Sequence, residues 1–150
     1  MSRTIWFDMD GTIADLYGVP DWLPKLRACD ASPYAEAKPM LNMSILARYL
    51  NKLRENGYTI GIISWLAKNS TKTYDYAVEV EKRTWLNKHL RSVSWDYIYI
   101  TMYGLPKETW MNGTDDILFD DCEEIRNEWD GEAYEPIKIL EVLKDLIDRG

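Results

Sequence analysis

Apolar positions in this chain follow two alternating patterns. Ile5-Trp6-Phe7, the stretch from Tyr58 through Ile60-Gly61-Ile62-Ile63 to Ser64, Tyr97-Ile98-Tyr99-Ile100 and Ile117-Leu118-Phe119 are short continuous apolar runs. Runs of this length, closed by polar or turn residues, predict strands buried on both faces. Between them the period lengthens. Leu46, Tyr49, Leu50 and Leu53 recur at helical spacing within 41–55, and Asn56-Gly57 supplies a stop. Ser70-Thr71 opens a second helix predicted to reach about Leu90, with a less clearly marked seam. A short helix is predicted over Cys122–Trp129 and a brief strand near Ala133-Tyr134. Ile139, Leu140, Leu143, Leu146 and Ile147 mark a closing amphipathic helix. Strands alternating with helices predict an α/β fold: one domain over 1–150, a three-layer Rossmann-like core with a parallel sheet covered on both faces.

One stretch breaks the alternation. Residues 14–40, directly after the first strand, carry Pro20, Pro24, Pro33 and Pro39 and show no sustained period. A segment of that length predicts a functional lid rather than a simple connection. Tyr17, Trp22, Leu23, Leu26 and Tyr34 give it apolar surface with which to pack. Trp22 and Tyr34 have two readings, as interior plugs or as faces for a planar ligand, and the plug is preferred.

In open parallel sheets ligands bind beyond the carboxyl ends of the strands. The polar residues of this chain collect there: Asp8 and Asp10 after the first strand, Ser64 ending the second, Lys107 after the third, Asp120 and Asp121 after the fourth. Each has a plainer reading alone. Asp-x-Asp-Gly also opens calcium loops, but an EF-hand needs glycine at its sixth position and glutamate at its twelfth, where this chain has Ile13 and Val19. Asp120-Asp121 alone would be a helix N-cap, Ser64 any strand end, and Lys107 a solvated lysine. Lys68, just past Ser64, competes with Lys107. Convergence of all these strand ends on one crevice favours a shared chemical role.

Bulk composition narrows the setting. The chain has 150 residues and a formal charge of −7, which disfavours non-specific polynucleotide binding. A basic strip nevertheless runs through Lys68, Lys72, Lys82, Arg83, Lys88 and Arg91, with a solvated helix face as its plainer reading. No apolar run reaches the length of a membrane span, and Met1-Ser2-Arg3 leads into a strand, not a signal peptide. Cys29 and Cys122 form no disulfide framework or metal-ligand spacing, so a reduced, cytoplasmic setting and simple, partly buried thiols are expected. His89 has no partner ligands in sequence, and Trp85 is expected in the core.

Taken in order, Asp8-Met9-Asp10-Gly11-Thr12, Ser64, Lys107 and Asp120-Asp121 resemble the four motifs of haloacid-dehalogenase-superfamily phosphatases. The match spans nearly the whole chain. Glu81-Lys82-Arg83-Thr84-Trp85-Leu86-Asn87-Lys88-His89-Leu90, before a strand ending in Thr101, is similar to the corresponding stretch of the 5′(3′)-deoxyribonucleotidases. A broadly similar basic helix occurs in the 3′-phosphatase domain of phage polynucleotide kinases. The chain departs from the deoxyribonucleotidase pattern in its shorter first insertion and in Met102, where an arginine is expected.

The resemblance implies a Mg²⁺-dependent phosphomonoesterase with a minimal lid at about 14–40. Asp8 is the expected nucleophile, forming an aspartyl-phosphate, and Asp10 the expected acid and base. Asp8, Asp120 and the backbone carbonyl of Asp10 would hold the metal, with Asp121 orienting its waters or holding Lys107. Ser64 and Lys107 would bind the non-bridging oxygens, and amides around Met9 to Gly11 would complete the cradle. Gly11, Thr12, Trp65 and Trp22 are the expected substrate contacts. The expected partner is a small phosphorylated molecule, a nucleoside monophosphate by resemblance. The alternatives are a polynucleotide 3′-phosphatase tracking the basic strip, and a non-catalytic phosphate- or metal-binding module.

Overall fold

The computed structural model describes residues 3–150; Met1 and Ser2, and with them the start of the expected leader-free N-terminus, lie outside the described residues. Five strands form the main sheet: β1 (Thr4–Phe7), β4 (Thr59–Trp65), β5 (Tyr97–Thr101), β6 (Ile117–Phe119) and β7 (Glu132–Tyr134). Their order is β5-β4-β1-β6-β7, and every neighbouring pair is parallel. β1 therefore lies at the centre, hydrogen-bonded on both sides, and its four residues are all buried. That is why its sequence is apolar without alternation.

Helices α3 (Met43–Glu55), α4 (Lys72–His89) and α6 (Ile139–Asp148) carry the larger core. Leu46, Leu50, Leu53, Trp85, Leu86 and Leu143 pack with Ile5, Phe7, Ile60, Ile62 and Phe119. Right-handed crossovers account for this placement, because β1→β4 and β4→β5 step the same way across the sheet and so put α3 and α4 on one face. Steps in the other direction send the β6→β7 connection, with α5 (Glu123–Glu128), to the opposite face.

That second face is thinner and aromatic. Trp6, Ile63, Leu118 and Trp129 form its core, with Tyr97, Tyr99 and Trp110 packed around them. Tyr99 stacks on Trp110 at 4.4 Å, and the indole of Trp6 lies over Gly61, where a Cβ would overlap its ring. Buried Asp116 organises the edge, accepting from Trp6 Nε1 at 3.0 Å, Thr4 N at 3.1 Å and Asn112 N at 2.8 Å. The three layers are thus present, but unequal in thickness.

Residues 14–40 are not irregular. Strands β2 (Ala14–Asp15) and β3 (Lys38–Pro39) pair antiparallel and clamp the two ends of the segment together. Between them lie a 3₁₀ turn at Leu16–Gly18 and two short helices, α1 (Trp22–Arg27) and α2 (Ser32–Glu36). Sequence periodicity misses them because each helix is shorter than two turns. The strap is tied to α4: Trp85 Nε1 donates to Ala37 O at 2.7 Å and Tyr74 Oη to Asp30 O at 3.0 Å. Leu16, Tyr34, Tyr74 and Val78 form a small core beneath it.

Candidate active site

The loop after β1 is wound tightly around one carbonyl. Met9 O accepts from the amides of Thr12, Ile13 and Ala14 at 3.0–3.1 Å, and Gly11 N donates to Ala14 O at 2.8 Å. Gly11 is therefore not a free donor, and among the described residues the amides of Met9 and Asp10 are left without a partner. Gly11 has φ +80°, and a Cβ there would overlap the Asp121 carboxylate and lie 2.8 Å from the Tyr17 ring. The glycine is needed for both conformation and space.

This winding presents Asp8, 7% exposed, at the floor of a cavity of about 720 Å³. Thr12 donates its hydroxyl to Asp8 Oδ2 at 2.8 Å, and Lys107 donates to Asp8 Oδ1 at 3.0 Å and to Asp120 Oδ2 at 2.6 Å. Lys107, in the 3₁₀ turn Lys107–Trp110, is buried, so it is this lysine that reaches the carboxylates. Lys68 stays exposed at the cavity wall, 5.9 Å above the Tyr103 ring. Burial opposes the charge on Lys107, but Asp8 and Asp120 outweigh it and raise its pKa above the usual lysine value.

Asp8, Asp120 and Asp121 each place a carboxylate oxygen within 4.8 Å of the others. Asp120 and Asp121 are both pushed up from the ordinary carboxylate range, first by burial and then by the charge of Asp8. Three hard oxygen donors that repel one another when ionised fit a divalent cation such as Mg²⁺. The Asp10 carboxylate is outside this trio. It binds Lys82 Nζ at 2.9 Å, and burial raises its pKa despite that lysine.

Lys82 itself corrects the sequence reading. It was expected on a solvated basic strip, yet it is 1% exposed and bonds Ser64 Oγ at 2.6 Å and Trp65 O at 2.7 Å as well as Asp10. The sequence carried a signal for this: Tyr74, Val78, Lys82 and Trp85 fall on one stripe of α4, and all four are buried. A lysine on an otherwise apolar stripe needs a buried anion. Arg83 is also committed, to Glu79 at 3.1 Å.

The cavity walls come from four strand ends and the strap. Trp22, Tyr17, Tyr34, Trp65 and Tyr103 all line it, as do Asp10, Lys107, Asp120 and Asp121. Trp65 is held by its Nε1 bond to Leu105 O at 2.8 Å, and Trp22 packs edge-on to Tyr17 at 4.9 Å. Tyr34 is buried and Trp22 half-buried, so both plug the strap and line the cavity at once. Thr12, Gly11 and Ser64 lie behind this lining, with Thr12 committed to Asp8. Cys29 is exposed and Cys122 half-buried, both free; the exposure of Cys29 departs from the expected partly buried thiol. His89 packs 4.5 Å from Trp85, away from the site lining. No helix among the described residues is long and apolar enough to cross a membrane.

Neither known family models nor curated proteins match the sequence. Among solved structures, a D,D-heptose 1,7-bisphosphate phosphatase from Burkholderia thailandensis is similar, with a TM-score of 0.50 at 12% identity over 82% of this chain and 68% of that one. What the two share is the fold, which in this chain is a Rossmann-like α/β core around a parallel five-stranded sheet.

Proposed function

We propose that this protein is a Mg²⁺-dependent phosphomonoester hydrolase that works through an aspartyl-phosphate on Asp8. The observation that carries the reading is the setting of Asp8: a carboxylate at a cavity floor, oriented by Thr12 and Lys107, with Asp120 and Asp121 beside it. A structural ion pair would not need two further acids crowded against it. The phosphatase of similar fold supports the reaction class; its own substrate is a sugar bisphosphate, so it lends no support to a nucleotide.

Asp8 attacks phosphorus, the bond from phosphorus to the leaving oxygen breaks, and Asp10 gives that oxygen a proton. Water then attacks the aspartyl-phosphate, returns a proton to Asp10 and frees Asp8 and inorganic phosphate. The raised pKa of Asp10 suits a group that must carry a proton in the first step. Lys107 and the free amides of Met9 and Asp10 stabilise the non-bridging oxygens, while Ser64, fully buried, supports the site through Lys82. Asp8, Asp120, Asp121 and the Asp10 carbonyl would hold the cation, which supplies charge neutralisation between two anions when bound.

The substrate we assign is a nucleoside monophosphate. Its support is the aromatic wall of Trp22, Tyr17, Trp65 and Tyr103, which matches a planar base next to a phosphate-sized floor. Residues 14–40 serve as a fixed lid that shapes this wall. The polynucleotide 3′-phosphatase alternative loses support because Lys82 is internal and Arg83 is paired.

The test is a Mg²⁺-dependent phosphate-release screen over nucleoside monophosphates, sugar phosphates and 3′-phosphorylated oligonucleotides, with Asp8→Asn as the blank. Turnover fastest on a nucleotide and absent in the folded Asp8→Asn protein is the expected result. Release by that variant equal to wild type would remove Asp8 as nucleophile, and binding without turnover in wild type would leave a non-catalytic module.

A further inference from the structure

The ammonium of Lys82 makes three hydrogen bonds, to Asp10 Oδ2, Ser64 Oγ and Trp65 O. A lysine has three N–H donors and no acceptor, so these bonds exhaust it. The Tyr34 ring of the strap, 5.1 Å from Nζ, packs against the remaining side. Lys82 therefore has no donor left for a substrate, and its effect must pass through its partners.

Those partners are left in defined states. Ser64 Oγ accepts a hydrogen from Lys82, so its own hydrogen points away from that ammonium. Among the described residues no protein acceptor takes that hydrogen. Asp10 is tied through Oδ2, while Oδ1 has no protein donor among the described residues and the side chain borders the cavity. A buried ammonium at this junction thus sets the polarity of one group and the angle of the other.

We propose that Lys82 is a positioning residue that, anchored on Ser64 and Trp65, holds Asp10 by Oδ2 and aims its Oδ1 at the leaving oxygen. This deepens the phosphomonoesterase reading and rests on it. A lysine that merely anchored α4 to β4 would slow every substrate alike. One that aims the general acid matters most where the leaving group needs a proton.

The experiment compares wild type, Lys82→Met and Lys82→Arg on p-nitrophenyl phosphate and on a simple alkyl phosphate in Mg²⁺. For Lys82→Met, kcat should fall about a hundredfold or more on the alkyl ester and about tenfold or less on the nitrophenyl ester. Lys82→Arg keeps the buried charge, but a planar fork does not reproduce three converging bonds, so the same selectivity is expected in weaker form. In an Asp10→Asn background, Lys82→Met should add no further leaving-group selectivity. Equal losses on both esters, or selectivity that persists without the Asp10 carboxylate, would overturn the proposal.

A measurement on the wild type is independent of how the variants fold. A crystal structure with vanadate should show Asp10 Oδ1 facing a vanadate oxygen and Lys82 Nζ still on Asp10 and Ser64. Lys82 turned onto the vanadate overturns the proposal. A wild type that releases phosphate from no ester removes the underlying reading instead.

Discussion

Gly11 is where two demands on a single residue meet. Its φ of +80° is costly for any side chain, and the space a methyl would fill belongs to Asp121 and Tyr17. Gly11→Ala should therefore act first on the metal site by displacing the Asp121 carboxylate. The Mg²⁺ concentration for half-maximal activity should rise about tenfold or more, as for lost support around metal ligands, with ~1–3 kcal/mol of stability lost to backbone strain. Metal titration of activity checks the first and denaturant unfolding the second. His89, the single histidine, offers a cleaner probe of the fold. Burial, and then the charge of Lys88, lower its pKa from the ordinary 6.5. The folded protein thus binds fewer protons than the unfolded chain in that range, and this contribution to stability shrinks as pH falls. The loss begins near pH 6.5 and is complete below the folded-state value. A single imidazole resonance in an NMR titration should show a midpoint below 6.5, and His89→Gln should flatten the corresponding slope in stability against pH.

At the scale of elements, the strap decides what the site accepts. Trp22 packs on Tyr17 and borders the cavity, while the strap's ends are clamped by β2 and β3. Trp22→Ala should raise KM for a nucleoside monophosphate about tenfold, the worth of one base–aromatic contact, and leave KM for a small aryl phosphate nearly unchanged. Equal changes in steady-state KM would remove base stacking from the strap's role. The strap is also the part of the fold that the sequence conveyed least. β1, β4, β5, β6 and the helices α3, α4 and α6 were legible because each is long enough, or apolar enough, to show its period. Helices α1 and α2, of six and five residues inside a proline-broken segment, show none, and the β2–β3 pair is held by register rather than composition. The strand-end residues Asp8, Ser64, Lys107 and Asp120 were legible for a topological reason: a parallel sheet gathers its carboxyl ends. Lys82 is hidden because a lysine's charge marks it as solvated wherever it falls on the helix period. On α4 it completes a buried stripe that turns from the strap, through Tyr74 and Val78, to the main core, through Trp85 and Leu86, and so blurs the seam.

For the whole molecule, the site concentrates four of the aspartates that contribute to the net charge of −7, against the two buried ammonium groups of Lys82 and Lys107. Lys107 bridges Asp8 and Asp120, and Lys82 serves Asp10, so Asp121 is left without a lysine of its own. A divalent cation bound among Asp8, Asp120 and Asp121 would relieve that imbalance in the folded state and find no such cluster in the unfolded chain. Binding that favours only the folded state stabilises it by mass action, about 2.7 kcal/mol when the ion is at a hundred times its dissociation constant. The expected outcome is a Tm that rises with Mg²⁺ and returns on chelation, measured by calorimetry at fixed ionic strength so that general screening does not contribute. Asp121→Asn should weaken this Mg²⁺-dependent rise while leaving the Lys107 bridge intact, and Asp8→Asn should weaken it further. An equal rise in all three proteins would mean that the cation acts on the surface charge and not at the strand ends.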